Sequence, residues 1–275
     1  MQSVEEIVLA GGVANQGSVV RVGDTVRRPR GRHSDAVAEL LRYLEKVGFE
    51  GVPRFLGTDD CDREVLSWIP GDVPLPPFPG WAMSDEALIS VARLLRGYHD
   101  AVEGFVASHP SLMWSTELAD LTGGWVLCHN DICPENVVFR DGRAVALLDF
   151  DYAGPGRRVW DVVATAAMWA PLVAPDWRKT HPPGLDGVSR TALFADAYGL
   201  DHTDRRAFFE VLAQRQAVGR SFVTRHVQAG ETSFIDMVEE FGGPEKWAAT
   251  ERWLDEERVR LITVLVDGHR TAEAP

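Results

Sequence analysis

The sequence predicts an α+β protein built as two unequal lobes, and three observations carry that expectation. The first 70 residues read as β-prone runs around one helix, a proline-rich break follows, and beyond it apolar residues recur mainly at helical spacing. At 275 residues the chain is near the size at which a single hydrophobic core stops growing, which makes two lobes reasonable. Its 45% hydrophobic content and nine Trp supply enough apolar mass to exclude intrinsic disorder.

Taken in order, Val19 to Val22 and Thr25 to Arg28 flank Gly23-Asp24 and predict a hairpin. From Ser34, read as an N-cap, the residues Val37, Leu40, Leu41, Leu44 and Val47 follow helical spacing, and Gly48 supplies a left-handed stop. Arg63 to Trp68 reads as a further strand. Pro70, Pro74, Pro76, Pro77 and Pro79, with Gly71 and Gly80, suit neither a helix nor a central strand, so the lobe boundary is placed there, between residues 1–70 and 71–275. A helix follows the Ser84 cap, with Leu88, Val91, Leu95, Tyr98 and Val102 on one face. Then comes a β island: Trp125 to Cys128, a polar stretch from His129 to Asn136, and a hairpin in which Val137 to Phe139 and Ala144 to Leu148 flank Asp141-Gly142. Helices with short breaks extend from there to Gly268.

The formal charge is −13, which opposes a nucleic-acid partner. It is uneven: residues 1–70 carry 9 basic and 11 acidic side chains, while residues 71–275 carry 19 and 30. Either the second part keeps the protein soluble or it attracts a cationic ligand. Cys61, Cys128 and Cys133 cannot all pair within the chain, and the N-terminus lacks the regions of a signal peptide, so a reducing, cytoplasmic setting is expected. The most apolar stretch, Val162 to Ala174, is far shorter than the ~20 residues of a membrane span. No membrane partner is expected, and nothing in the sequence specifies an oligomeric state.

The chemistry concentrates between Val126 and Val163. Asp131 and Asn136 lie in a loop between strands, and Asp149 follows the hairpin, so the turned chain can gather three polar side chains at one sheet edge. Two oxygen ligands and a third carboxylate suit a Mg²⁺ site with a base beside it. Cys128 and Cys133 flank His129 but have no second nearby pair, which is not the pattern of a zinc site.

His129-Asn130-Asp131 followed by Asn136 matches H-x-D-x-x-x-x-N, and Leu148-Asp149-Phe150-Asp151 and Asp161-Val162-Val163 follow it. The segment resembles the aminoglycoside phosphotransferase family of protein-kinase-like phosphotransferases, whose loop commonly reads H-G-D. Cys133 stands where protein kinases carry a phosphate-contacting Lys, and no A-P-E element follows Asp149, so the resemblance points to a small-molecule kinase. The resemblance spans residues 8–175 and implies the bilobal protein-kinase-like fold.

It also implies roles. Asp131 would orient the acceptor hydroxyl or take its proton, and Asn136 and Asp149 would hold Mg²⁺ against the nucleotide phosphates. His129 and Asp161 would support the loop, although Asp161 also reads as a helix N-cap. Asp151 would assist the metal, meet a cationic substrate, or stand as a solvated loop acid.

In the first lobe Arg27 is the first choice for the phosphate-binding cation and Arg28 the alternative. Glu39 is the implied ion-pair partner or an exposed helix acid. Backbone at Ser67, Trp68 and Ile69 would meet the nucleotide base. Gly11 to Ser18 would cover phosphates, though it is neither G-x-G-x-x-G nor a Walker A loop. His99 reads as a packed helix residue. The implied activity is transfer of a γ-phosphate from ATP, with GTP the alternative donor, to a hydroxyl of a small cationic acceptor such as an aminoglycoside. Macrolide, sugar, choline or amino-alcohol acceptors are the alternatives, as is nucleotide binding without turnover. Glu231, Asp236, Glu239, Glu240, Asp255, Glu256 and Glu257 lie in predicted helices where such families line the acceptor cleft, and several of them are ordinary surface residues.

Overall fold

The computed structural model describes residues 5–9 and 17–267. Most of the glycine-rich segment that begins at Gly11 lies outside the described residues, as does Gly268.

An antiparallel five-stranded sheet forms the small lobe: β1 (Ile7–Val8), β2 (Val20–Val22), β3 (Thr25–Pro29), β4 (Phe55–Thr58) and β5 (Arg63–Ser67), in the order β1-β2-β3-β5-β4. The expected hairpin forms with Val22 opposite Thr25, and Gly23 takes the positive φ the turn needs. Helix α1 (Ser34–Lys46) interrupts the strands and buries Val37, Leu40, Leu41 and Leu44. Ser34 is not the N-cap: it sits inside the first turn and its Oγ accepts from the Gly31 N–H at 2.9 Å, while His33 takes the cap position. Val47 ends the helix half-exposed and Gly48 turns left-handed at φ 79°.

The second lobe starts with α2 (Asp85–Ala101), where Ser84 Oγ accepts from the Ala87 N–H at 3.1 Å. After the short α3 (Phe105–Ser108) come two ribbons, β6 (Val126–Cys128) with β9 (Gly154–Gly156), and β7 (Val137–Arg140) with β8 (Arg143–Leu147). The Asp141-Gly142 turn has both residues at positive φ, as a two-residue hairpin requires. Helices α4 (Arg158–Trp169), α5 (Gly187–Tyr198), α6 (His202–Gln228), α7 (Thr232–Phe241) and α8 (Pro244–Asp267) complete the lobe.

One apolar cluster runs from Leu40 and Leu44 of α1 through Leu95 and Phe105 to Trp160, Phe208 and Leu261, so the two lobes share a core. The β7–β8 ribbon is fastened at that junction. The Leu147 N–H donates to the Gly51 carbonyl at 2.9 Å, the Ala144 N–H to Ser90 Oγ of α2 at 2.9 Å, and Asp72 of the proline-rich segment exchanges backbone bonds of 2.8 Å with Phe139.

Gly71 makes that last contact possible, because a Cβ there would lie 2.4 Å from the Phe139 carbonyl oxygen. Gly71→Ala is therefore expected to push the crossing segment off the ribbon at a cost of about 1–3 kcal/mol, the usual range for overpacking. Urea and thermal melts check this. Unchanged stability would show that the contact relaxes freely.

Candidate active site

The polar loop after β6 owes its shape to one buried carboxylate. Asp161, in the first turn of α4, accepts from the His129 N–H at 2.7 Å and the Asn130 N–H at 2.8 Å, and its Oδ2 lies 3.1 Å from His99 Nε2. Asp161, His99 and His129 are completely buried, and Asn130 is nearly so. Burial acts to raise the Asp161 pKa, but the hydrogen bonds from His99 and from the His129 N–H outweigh it and hold the carboxyl below its ordinary range. The residue is not an N-cap, because the helix begins at Arg158. Tyr198 fixes the other face of the pair, its hydroxyl lying 2.7 Å from His99 Nδ1.

Asn130 stands at φ 68°, a left-handed conformation that Asn tolerates better than most residues. Its side-chain amide donates to the Tyr152 carbonyl at 2.9 Å. His129 links this loop to the hairpin. The Asp131 N–H donates to His129 Nδ1 at 3.3 Å, so the ring proton sits on Nε2 and is donated to the Leu148 carbonyl at 2.9 Å. Burial lowers the His129 pKa, in keeping with a neutral ring. The bond to Leu148 lies one residue before Asp149, which is itself at φ 61°. Of the four non-glycine residues with positive φ among the described residues, Asp62 and Asp141 make turns and the other two, Asn130 and Asp149, are in this site.

Asn136, in the 3₁₀ turn Pro134–Asn136, donates its amide hydrogens to the Asp131 carbonyl at 2.9 Å and to Asp131 Oδ2 at 3.1 Å. The Asp131 pKa is pushed up to about 7, first by burial and then by the Asp149 charge, with Arg215 acting in the opposite direction. From β3, the Arg28 guanidinium reaches Asp149 Oδ1 at 3.2 Å, Asp151, and Glu64 Oε2 of β5 at 3.2 Å. One cation thus bridges the small sheet to the segment after β8.

The structure does not bring every expected residue here. Strand alternation puts Arg27 on the other face of β3, where it donates to Thr25 Oγ1 at 2.8 Å and lies 3.6 Å from Asp59. Glu39 faces outward near Arg42 and His109 and has no ion pair with Arg27 or Arg28 among the described residues. The N–H groups of Ser67 and Trp68 are already used, by the Arg54 and Asp24 carbonyls at 2.9 Å, and the Trp68 ring carries the Arg21 guanidinium.

Two residues were not anticipated. Glu64 lies directly across the ladder from Arg28, a cross-strand pair of opposite charge visible only once β3 and β5 are paired. Arg215 of α6 donates to the Asn130 carbonyl at 2.9 Å from 85 residues away, and no local pattern announces it.

Beside Asp131 opens a pocket of about 320 Å³. Among the described residues, Asp131 is its only acidic lining side chain, and none of the seven acids expected to line the acceptor cleft borders it. Its walls are mostly apolar, with Arg215, Arg220 and Lys246 as the charged residues besides Asp131.

Comparison with known proteins gives this arrangement a family. Residues 111–207, which contain the loop and the hairpin, match the model of the phosphotransferase enzyme family. Over 218 residues the chain is 36% identical to the trifolitoxin immunity protein of Rhizobium leguminosarum bv. trifolii, covering 76% of this chain and 79% of that relative. The chain belongs to the phosphotransferase enzyme family. The fold agrees with solved members. A choline/ethanolamine kinase family protein from Mesorhizobium loti superposes with a TM-score of 0.60 at 14% identity, over 95% of this chain and 92% of that one. The GDP complex of aminoglycoside 2′-phosphotransferase-IIIa gives 0.59 at 16% identity, over 91% and 93%.

The donor set of this phosphotransferase is compatible with Mg²⁺. No cluster of three His, Cys, Asp or Glu ligands exists among the described residues, so a site supplied wholly by such side chains is not built. Asp149 and the Asn136 carbonyl oxygen, left over when the amide hydrogens turn to Asp131, are hard oxygen donors. Mg²⁺ commonly takes only one or two protein ligands and fills the rest of its shell with phosphate and water.

Asp161→Asn in this phosphotransferase should cost about 1–3 kcal/mol near neutral pH, the usual cost of leaving a buried hydrogen-bonding group without its charged partner. The sign of its pH dependence follows from the lowered pKa. The stabilisation from Asp161 is complete above its unfolded value of 3.8 and is lost as pH falls through the lower folded value. Denaturant melts of both proteins from pH 7 to 3 should show the gap closing below about pH 4. A gap that stays constant would contradict the assignment.

Proposed function

We propose that this chain is a nucleotide-dependent small-molecule kinase that transfers the γ-phosphate of ATP, with GTP the alternative donor, to an acceptor hydroxyl. The observation that carries the reading is the convergence of Asp131, Asn136, Asp149 and Arg28 where the two lobes meet, on backbone held in uncommon conformations. Residues 1–70 hold the nucleotide in this reading and residues 71–275 hold the acceptor. Arg28, not Arg27, binds the phosphates, with Glu64 as its partner in place of Glu39. Ile69, together with the carbonyls of Ser67 and Trp68, is left to meet the nucleotide base.

Asn136 and Asp149 would hold Mg²⁺, with Asp151 beside them, and the ion when bound neutralises phosphate charge during transfer. One guanidinium among three carboxylates leaves excess negative charge, which repels a bare polyphosphate and favours one that arrives with a divalent cation. Asp131 orients the acceptor hydroxyl and takes its proton. As the acceptor oxygen bonds to the γ-phosphorus, the bond from that phosphorus to the β–γ bridging oxygen breaks and nucleoside diphosphate leaves. Asp131 then returns the proton to solvent. A pKa raised toward neutrality suits a group that must take and release a proton at working pH.

The relatives supply the context for the acceptor. Solved neighbours include a choline/ethanolamine kinase family protein and a gentamicin complex of an aminoglycoside phosphotransferase, and the sequence relative is an immunity protein. A protective reaction on a toxic small molecule is consistent with the gentamicin complex and the immunity protein. An aminoglycoside is the acceptor the family resemblance implies, but the pocket beside Asp131 offers its amines no acidic wall. The three cysteines are free and no described helix is long and apolar enough to cross a membrane, which supports work in the cytoplasm.

Nucleoside diphosphate release, with Mg²⁺ and a panel of hydroxyl acceptors, tests the reading. Asp131→Asn should lower kcat by about 10²–10⁴-fold. Asp149→Asn should remove Mg²⁺-dependent nucleotide binding, and EDTA should abolish turnover of the wild type. Arg28→Gln should raise the nucleotide KM, while Arg27→Gln leaves it near the wild-type value. Wild-type turnover in Asp131→Asn would refute the mechanism, and Mg²⁺-dependent nucleotide binding without transfer to any acceptor would identify a binding module.

A further inference from the structure

Resting on the phosphotransferase reading above, we propose that the acceptor is a largely apolar hydroxy compound bearing an anionic group such as a carboxylate, and not a polycation. The Asp131 pocket, at about 320 Å³, lies at the small end of the range for small-molecule sites. Ile132, Leu118, Phe222, Val223 and Trp247 give it an apolar wall.

The three cations in it differ in what they already do. Arg215 is committed to the loop through the Asn130 carbonyl. Arg220 and Lys246 have no ion pair or side-chain hydrogen bond among the described residues. Lys246 is half-buried, and the charge felt beside it is that of another cation, Lys179, so burial lowers its pKa with no acid to compensate. A cation held against apolar surface without a counter-charge is costly, and a ligand anion offsets that cost.

Asn130 also lines the pocket; it is 1% exposed, and its buried Oδ1 has no hydrogen-bond partner among the described residues. Within this pocket a polycation would instead meet Arg215, Arg220 and Lys246 with only Asp131 to attract it, Glu251 and Asp255 lining a separate cavity with Arg220, so these residues also disfavour the wrong acceptor.

The test uses matched probes on the full chain with Mg²⁺ and a nonhydrolysable ATP analogue. They are N-octanoyl-L-serine, its uncharged C-terminal amide, and kanamycin as the polycation. Calorimetry should find the acid bound at least about tenfold more tightly than the amide, the loss expected for a charge-assisted hydrogen bond. Kanamycin should bind more weakly than either. In Arg220→Gln and Lys246→Gln the acid should fall toward the amide, with thermal melts confirming that both variants are folded. With ATP, phosphorylated serine derivative should accumulate, and mass spectrometry reads it.

Equal affinity for acid and amide, no binding of the acid, or preference for kanamycin overturns the inference, even if phosphate is transferred to another acceptor. Preference for the acid that both variants abolish, without transfer to any acceptor, overturns the phosphotransferase reading and leaves the pocket's charge assignment standing.

Discussion

The rest of the site depends on the Asp161 carboxylate. It is wholly buried, yet it remains charged because two loop N–H groups and His99 surround it. Those N–H groups belong to His129 and Asn130, the residues immediately before Asp131. Without Asp161 they would be buried donors lacking partners, and the loop would have no reason to hold Asn130 at positive φ. From there the constraint passes outward: Asp131 N–H orients His129, His129 holds Leu148, and Leu148 precedes Asp149. One buried charge thereby sets the relative position of the two aspartates.

A second constraint joins the lobes. Arg28 projects from the small sheet and is held by Glu64 of its own sheet and by Asp149 and Asp151 of the other lobe. Buried ion pairs of this kind contribute little net stability, because desolvation consumes most of the attraction. Their value lies in geometry. The guanidinium is too buried to wander, and its partners come from two elements that the shared core already holds together. The β7–β8 ribbon, tied to Gly51, Asp72 and Ser90, keeps that core in register with the site.

Much of this was legible in the sequence because local chemistry decides it. The Gly23-Asp24 and Asp141-Gly142 turns, the apolar face of α1 and the Ser84 cap are properties of neighbouring residues, and each appears where the pattern puts it. The spacing from His129 to Asp161 was equally readable. The cation of the small lobe was harder. Arg27 and Arg28 are adjacent in a strand, so their faces differ, and only the pairing of β3 with β5 decides which one meets the aspartates. Ser34 was misread as a cap because Gly31 takes its hydroxyl and starts the helix one residue earlier. Arg215 and Lys246 come from helices α6 and α8, and their approach to Asp131 is set by packing across the whole second lobe.

That last point changes the meaning of the charge. The formal −13 and the acidity of residues 71–275 suggested a site that attracts cations. Net charge, however, sums over a surface, while recognition occurs within a few ångströms of the ligand, where screening and burial favour the nearest groups. The acids are concentrated elsewhere: Asp186 and Glu257 pair with Arg260 on the outside, Glu231 with His226, and Asp196 with Arg205. Within the pocket the balance reverses, with three cations facing one aspartate across an apolar wall. An acidic protein can thus hold a basic binding site, and the acidity around it tends to keep free anions away from that site unless apolar contact adds to their attraction. Selectivity then requires both features in one ligand, an apolar body and a single anionic group.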